Sequence, residues 1–297
     1  MTRFQVLSDA QWRLIEPLLP ARTGRRGRPF ADARTMIEGI AYRYRAGIAW
    51  RDLPEVFGPW QTVWTWHRRM AGDGTWDEVL AVLTAQAQAE GLVDWSLAVD
   101  STVTRAHQHA TNITRHTGGG SSYTNLTSEP PDHAIGRSRG GLSTKIHQLV
   151  DGRGMPLVTL IGPGQGGDAP MLLPLLDQLR VSTAAGQVRT RPEAVMGDKA
   201  YSSKAIRAHL RSRKITAVIP EPDNQINNRL RRGSAGGRPP SFDPTAYRGR
   251  HVVECRFAKL KQWRALACRY DKLALTYRAA VVLHAVIAWT QRLSDTP

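Results

Sequence analysis

Trp95-Ser-Leu-Ala-Val-Asp100-Ser101 is the stretch on which the fold turns. A short apolar run of this kind that closes on a carboxylate reads as a buried strand carrying an acid at its end. Working outward, Lys145-Ile-His-Gln-Leu-Val150 and Leu157-Val-Thr-Leu-Ile161 read as two further strands, joined by the turn Asp151-Gly-Arg-Gly154. A helix is expected over 169–179 with Asp168 as its cap. Ala194-Val-Met196 followed by Gly197-Asp198 is a second strand ending in a carboxylate. Ser202 or Ser203 caps a helix to about Arg213, and Thr216-Ala-Val-Ile219 makes a fifth strand. Long helices are expected over 245–268 and 272–292. Three strands, helix, strand, helix, strand, helix describes an α/β sheet with helices on its faces. Residues 106–142, rich in Gly, Ser, Thr, Asn and His, and residues 221–244, rich in Pro, Gly and Arg, read as mobile loops.

Upstream of Leu92 the periodicity is helical throughout. Ser8-Asp9 caps a helix that stops at Pro20, and Arg22-Thr-Gly-Arg-Arg-Gly-Arg-Pro29 is a basic, turn-rich linker. Met36, Ile37, Ile40, Tyr44 and Ile48 share one face of a helix from about Asp32 to Ala46. A short helix from Trp50 to about Gly58, a helix from Trp60 to Met70 and another from Trp76 to Glu90 complete the outline of a helix-turn-helix unit. Gln61, Thr65, His67, Arg68 and Arg69 would stand on its recognition helix, with Val63, Trp64 and Trp66 in the core. A plain three-helix bundle has the same outline. Arg26-Gly-Arg28-Pro29 and Gly237-Arg-Pro239 resemble minor-groove arms, and basic turns look the same.

At 297 residues the chain is long enough for about two domains, with boundaries at 1–92 and 93–297. Lys and Arg number 41 against 25 Asp and Glu, a net charge of +16. The excess is uneven: +1 over 1–95 and +8 over 221–297. Such a chain suits a polyanion, because each phosphate contact releases counterions. The near-neutral residues 1–92 are expected to select a DNA sequence, and the basic remainder to hold any DNA. Two cysteines, Cys255 and Cys268, exclude a disulfide framework and a Cys-x-x-Cys zinc site. No charged-then-apolar leader opens the chain, and Arg278 and His284 break its most apolar segment. These features point to the cytoplasm, on the nucleoid, and away from membranes.

Acids are most informative where they are scarce. Asp100 is the only acid between Asp94 and Glu129, Asp198 the only one between Glu193 and Glu221, and Glu254 the only one between Asp243 and Asp271. A carboxylate on a phosphate-binding surface costs affinity unless it holds a divalent cation that itself meets the phosphate. Taken singly, each acid is better explained by a cap or an ion pair. The helix around Glu254 changes the balance. At about 100° per residue, Tyr247, Arg250, Glu254 and Lys261 fall at roughly 0°, 300°, 340° and 320°, one narrow stripe. Val252, Val253, Leu260 and Trp263 fall at roughly 140° to 240° on the other side. The helix thus buries an apolar face and presents an acid flanked by cations.

Tyr247-x2-Arg250-x3-Glu254-x6-Lys261 resembles the Tyr-Arg-Glu-Lys signature of the DDE transposases of bacterial insertion sequences. Val99-Asp100-Ser-Thr, His107-Gln-His109, Gly136-Arg-Ser-Arg-Gly-Gly141, Gly197-Asp198-Lys-Ala-Tyr201-Ser and Phe257-x-Lys-Leu-Lys261 with Arg269-Tyr-Asp-Lys272 are similar to the insertion-sequence 5 family, and the resemblance spans nearly the whole chain. It implies a ribonuclease-H-like catalytic domain, a mixed sheet flanked by helices, behind an all-α, helix-turn-helix-like domain. It implies two Mg²⁺ ions, with Mn²⁺ able to substitute, held by Asp100, Asp198 and Glu254 as catalytic residues. It implies cleavage and rejoining of double-stranded DNA at transposon ends and target by a homodimer or higher assembly. DNA contacts are then expected from Tyr247, Arg250, Lys261, Arg68, Arg69, Gln61, Arg26 and Arg28. The segment 221–244 is too short for the large β-strand insertion that some relatives carry there.

Other readings weigh less. Gly162-Pro-Gly-Gln-Gly-Gly167 fits Gly-x-Gly-x-x-Gly, but Pro163 and Asp168 put a bend and a negative charge where pyrophosphate would sit. His107-x-His109 lacks the partners of a zinc site and suits a substrate contact or no function at all. A DNA-binding regulator derived from a transposase, without catalysis, shares the fold, as does a nuclease that cuts without joining. Retention of all three acids argues against the regulator.

Overall fold

The computed structural model describes residues 4–20, 32–112 and 129–295. Arg26 and Arg28 lie outside them. Helix α1 (Asp9–Ile15) is started by a capping box in which Ser8 and Gln11 satisfy each other's backbone amides. Helix α2 (Ala33–Ala46) is capped by Asp32, whose carboxylate accepts from Thr35 N at 2.8 Å. It ends at Gly47 with φ +74°, where a Cβ would lie 2.6 Å from that of Arg264. The short helix expected at 50–58 is two 3₁₀ turns, Trp50–Asp52 and Glu55–Phe57, separated by Pro54, which cannot continue a helix. Then come α3 (Trp60–Asp73), the left-handed Gly74 and α4 (Thr75–Ala89).

Strand β1 (Ser96–Ala106) is the centre of the sheet. It is followed by α5 (Gln108–Thr111), β2 (Gly136–Ser138), β3 (Gly141–Val150) and β4 (Pro156–Pro163). After α6 (Leu172–Gln178), a two-stranded ribbon of β5 (Val181–Ser182) and β6 (Val188–Arg189) leads to β7 (Ala194–Met196). Helix α7 (Lys204–Ser212), capped by Ser203, crosses to β8 (Thr216–Val218). In the sheet β4, β3 and β1 are antiparallel neighbours, while β1, β7 and β8 run parallel. Three antiparallel strands continued by two parallel ones, with helical crossovers, is the ribonuclease-H-like arrangement.

Residues 221–244, expected as a loop, contain α8 (Asp223–Arg231). Pro222 and Asp223 open it favourably, the Arg229–Glu221 ion pair (2.6 Å) ties it, and Gln225 hydrogen-bonds Ser202. The long helix expected over 245–268 is broken into α9 (Pro244–Tyr247), a 3₁₀ turn at Arg248–Arg250, α10 (His251–Lys261) and α11 (Arg264–Ala267). The second break comes where Trp263 turns extended to bury its ring. Strand β9 (Cys268–Arg269) pairs with the end of β1.

Helix α12 (Ala274–Ser294) packs against α1, α2, α3 and α4 and against β4, so the helical layer and the sheet share one hydrophobic core. Polar contacts reinforce this seam. Arg43 Nη1 pairs with Asp271 at 3.1 Å, with both side chains buried, and Arg278 grips Asp77 with two hydrogen bonds of 2.7 and 2.8 Å. His67, expected on the DNA-reading surface, is fully buried. Its Nε2 contacts the Tyr44 hydroxyl at 2.9 Å and the Thr276 carbonyl at 3.0 Å, and burial pushes its pKa down to about 4. The apolar stripe of α3 continues through position 67, so that side chain turns inward with Val63 and Met70. Trp64 and Trp66 are half-buried, at the edge of the core.

Candidate active site

Asp100 sits in mid-strand on β1, not at the strand end that the sequence suggested, and Asp198 lies two residues beyond the last residue of β7. The parallel register pairs Ala98 with Met196, so the two acids, each two residues further on, stand at the same level of adjacent strands. Gly197 makes this approach possible: a Cβ there would lie 3.1 Å from the Tyr201 ring and 3.2 Å from Val99. Asp198 is half-buried, and its Oδ1 accepts from Ala200 N at 2.9 Å. Asp100 Oδ1 accepts from Ser101 N at 2.8 Å. Burial holds the Asp100 carboxyl above the usual carboxylate range, and the Asp198 charge adds to this against the opposing pull of the Ser101 amide and Arg250.

The front of α10 closes the site. Arg250 Nη1 donates to Asp100 Oδ2 at 2.9 Å, and its Nη2 donates to Glu254 Oε1. Its guanidinium lies 5.8 Å from the centroid of the Tyr247 ring. Burial opposes the Arg250 charge, but the two carboxylates outweigh it and raise its pKa. Lys261 Nζ donates to Val103 O on β1 at 3.2 Å. The structure therefore brings together Asp100, Asp198, Tyr247, Arg250 and Glu254, while Lys261, at the end of α10, reaches β1 further along at Val103. Val253, Leu260 and Trp263 are buried on the other side.

Asp168 corrects an expectation. It makes no side-chain cap to the following turn. Its Oδ1 instead accepts from Ser101 Oγ at 2.6 Å and Lys145 Nζ at 2.8 Å, with His147 Nδ1 3.9 Å away. Burial disfavours its charge, yet the hydrogen bonds from Lys145 and Ser101 prevail and hold its pKa below the usual range. Sequence proximity to a helix start suggested a cap. The partners are 67 and 23 residues away, and only strand pairing brings them near. Lys145 and His147, two apart on one face of β3, were the available signal. The Tyr201 hydroxyl, fully buried and without a hydrogen-bond partner among the described residues, feels Asp100, Asp168 and Asp198, and burial with these charges pushes its pKa up.

The other expected DNA contacts lie elsewhere. Gln61, Thr65 and Arg69 are exposed along one side of α3, and Arg68 lies 5.6 Å from the Trp64 ring. Arg69 is 3.8 Å from Asp73. The His107 ring lies tilted against those of His109 (4.8 Å) and Tyr270 (4.7 Å). The turn at 162–167 serves its own chain: a Cβ at Gly164 would lie 2.0 Å from Ser143 Oγ, and the Gly166 carbonyl accepts from Lys145.

The donor set is chemically suited to a hard divalent cation, since it offers carboxylate oxygens and no sulfur. Among the described residues no three His, Cys, Asp or Glu side chains stand in ligating geometry as placed, because Arg250 occupies the space between Asp100 and Glu254 and balances their charge.

A family model described as a transposase DDE domain matches residues 92–289, two thirds of the chain. A second, described as a putative transposase of the IS4/5 family, matches residues 7–80. The chain belongs to the DDE transposases. It is a DNA transposase of the insertion-sequence type, of a family that depends on divalent metal and acts on DNA. The putative transposase for insertion sequence element IS6501 of Brucella ovis is 33% identical over 149 residues, covering 50% of this chain and 98% of that one. The uncharacterized protein y4sN of Sinorhizobium fredii is 40% identical over 114 residues, covering 38% of this chain and 86% of that one. A solved structure of the Mos1 transposase paired-end complex with left transposon end aligns over 86% of this chain and 75% of that one, at 13% identity and a TM-score of 0.25, too distant to bear on the site.

No helix among the described residues is long and apolar enough to cross a membrane.

Proposed function

We propose that Asp100, Asp198 and Glu254 are the catalytic carboxylates of this transposase and hold two Mg²⁺ ions, for which Mn²⁺ can substitute. The observation that carries this reading is the level placement of Asp100 and Asp198 on parallel strands, with Arg250 joining Asp100 to Glu254. Bound cations would supply a polarised phosphate and an activated oxygen nucleophile. The chain's own residues do the rest. Arg250 exchanges its carboxylate partners for the scissile phosphate, Tyr247 supports its guanidinium, and Lys261 lies along the strand to hold a neighbouring phosphate. In cleavage a water oxygen bonds to phosphorus and the 3′ oxygen leaves. In strand transfer that 3′ hydroxyl attacks a target phosphodiester and displaces the target's own 3′ oxygen.

Residues 1–92 present Gln61, Arg68 and Arg69 on α3, with Arg26 and Arg28 in the preceding linker, to the transposon ends. Residues 93–297 hold end and target DNA without regard to sequence. A homodimer or larger assembly pairs two ends. The test is nicking and strand transfer by the full chain on DNA carrying its element's ends. Asp100→Asn and Asp198→Asn should abolish both steps while end binding persists, and full cleavage in excess chelator would falsify the metal assignment.

A further inference from the structure

We propose that the cavity behind α10 binds a small phosphate-bearing anion of nucleotide size, held by Arg256, Arg45 and Lys259. The cavity, of about 580 Å³, lies on the side of α10 away from Glu254, between α10, α12, the C-terminal end of α2 and the residues before α1. That volume suits a mononucleotide and lies within the range of small-molecule sites. Arg256 is the decisive residue. It is 4% exposed, yet among the described residues no carboxylate compensates it. Its Nη2 donates to His284 Nδ1 at 2.8 Å and to the His284 carbonyl at 3.3 Å, while Nε has no partner among the described residues. His284 gives the cation no charge in return, because burial and the Arg256 charge keep the ring neutral.

A buried guanidinium without a counter-ion is costly to hold, and burial alone pushes its pKa down to about 10. The lining adds Arg45 and Lys259, both exposed, and among the described residues neither is in an ion pair and no acid lines the cavity. Gln262 and Gln291 supply further polar groups, and Trp263 and Ile287 an apolar wall. Three cations converging beside an apolar wall complement a phosphate chain attached to a flat organic group. A duplex is a poor fit, since the phosphate of a rod about 20 Å wide cannot descend to a side chain as buried as Arg256. An anion here would bridge α10 to α2 and α12, joining the wall of the catalytic site to the helical layer.

The experiment uses the full chain in chelator, without DNA, and measures binding of ATP, GTP and pyrophosphate by calorimetry together with the shift in Tm. At least one should bind and raise Tm. Arg45→Ala and Lys259→Ala, on the surface, should each weaken binding by about 10-fold, and Arg256→Met by about 100-fold. Lys261→Ala, on the other face, should leave binding unchanged. The proposal is overturned if none of the three anions binds, if Lys261→Ala weakens binding as much as Lys259→Ala, or if Arg256→Met and Lys259→Ala reduce affinity for a short duplex while leaving the anions unaffected. Should Arg256→Met fail to fold, the two surface variants alone decide.

Discussion

Arg250 and Arg256 stand six residues apart at and beyond the start of one helix, and their surroundings are opposite. Arg250 is shared between two carboxylates, whereas Arg256 is buried with none. A cation with two acidic partners is held in place until something more attractive arrives, and a phosphate is such a group. A cation with no acidic partner has no ion pair to give up and favours any anion that reaches it. One helix thus has an acid-paired arginine at its front and one without an acidic partner on its back, and the two faces should respond to substitution independently.

The sharpest separation is expected from Arg250→Ala. It removes the cation between Asp100 and Glu254 and, on the proposed function, a phosphate contact, and single-turnover nicking should fall by about 10²- to 10³-fold. Loss of comparable size in Arg256→Met, without loss of folding, would break the division between the faces. Next comes the lysine pair. Lys261→Ala should slow nicking by about 10- to 100-fold, a barrier change of about 1.4–2.7 kcal/mol. Lys259→Ala, matched in charge and composition, should slow it little in the absence of small anions, and equal losses would contradict the geometry.

Asp168→Asn sharpens the front face further. Ser101 gives its amide to Asp100 and its hydroxyl to Asp168, so on the proposed function Asp168 would position Asp100 through Ser101. Nicking should drop by about 10-fold, at the lower end of the cost of a misplaced catalytic group. The pH at which activity appears should shift, because Asp100 loses part of its anchoring. An unchanged pH profile would reduce Asp168 to a structural role.

The smallest effect is on stability. Asp100 has its folded-state pKa raised above 3.8, through burial first and the Asp198 charge beside it. Its protonated form is therefore favoured in the folded chain. That contribution is present below about 3.8, the ordinary value, and is lost as pH rises through the raised one. Asp100→Asn should accordingly have a higher Tm than the parent at pH 7 in chelator, with the gap closing as pH falls toward 4. A lower Tm at pH 7 would mean that the Arg250 pair dominates instead.

Much of this was legible in the chain itself. The strands before Asp100 and Asp198 and the helical character around Glu254 follow from local apolar pattern, whereas the parallel pairing of β1 with β7 and the 3₁₀ turn at Arg248–Arg250 decide how Asp100, Arg250 and Glu254 meet. Side chains whose roles depend on distant partners were not legible. His67 and Arg256 have ordinary polar identities and turn inward because α12 covers them. Asp168 looked like a helix start until β1 and β3 brought Ser101 and Lys145 to it. Around 223–231 a composition of Asn, Gln and Arg suggested a loop, and the helix there rests on Pro222, Asp223 and the Glu221–Arg229 pair rather than on a buried face.

The seam along α12 sets a measure on the DNA. Because α3 and β4 pack on the same helix, and Arg43 and Arg278 pin the junction, the exposed side of α3 keeps a set distance from Asp100. A duplex read by α3 would meet the carboxylates at a spacing dictated by the protein. The number of base pairs between the recognised sequence and the cut should behave as a ruler, with one inserted pair moving the break by one pair or preventing it.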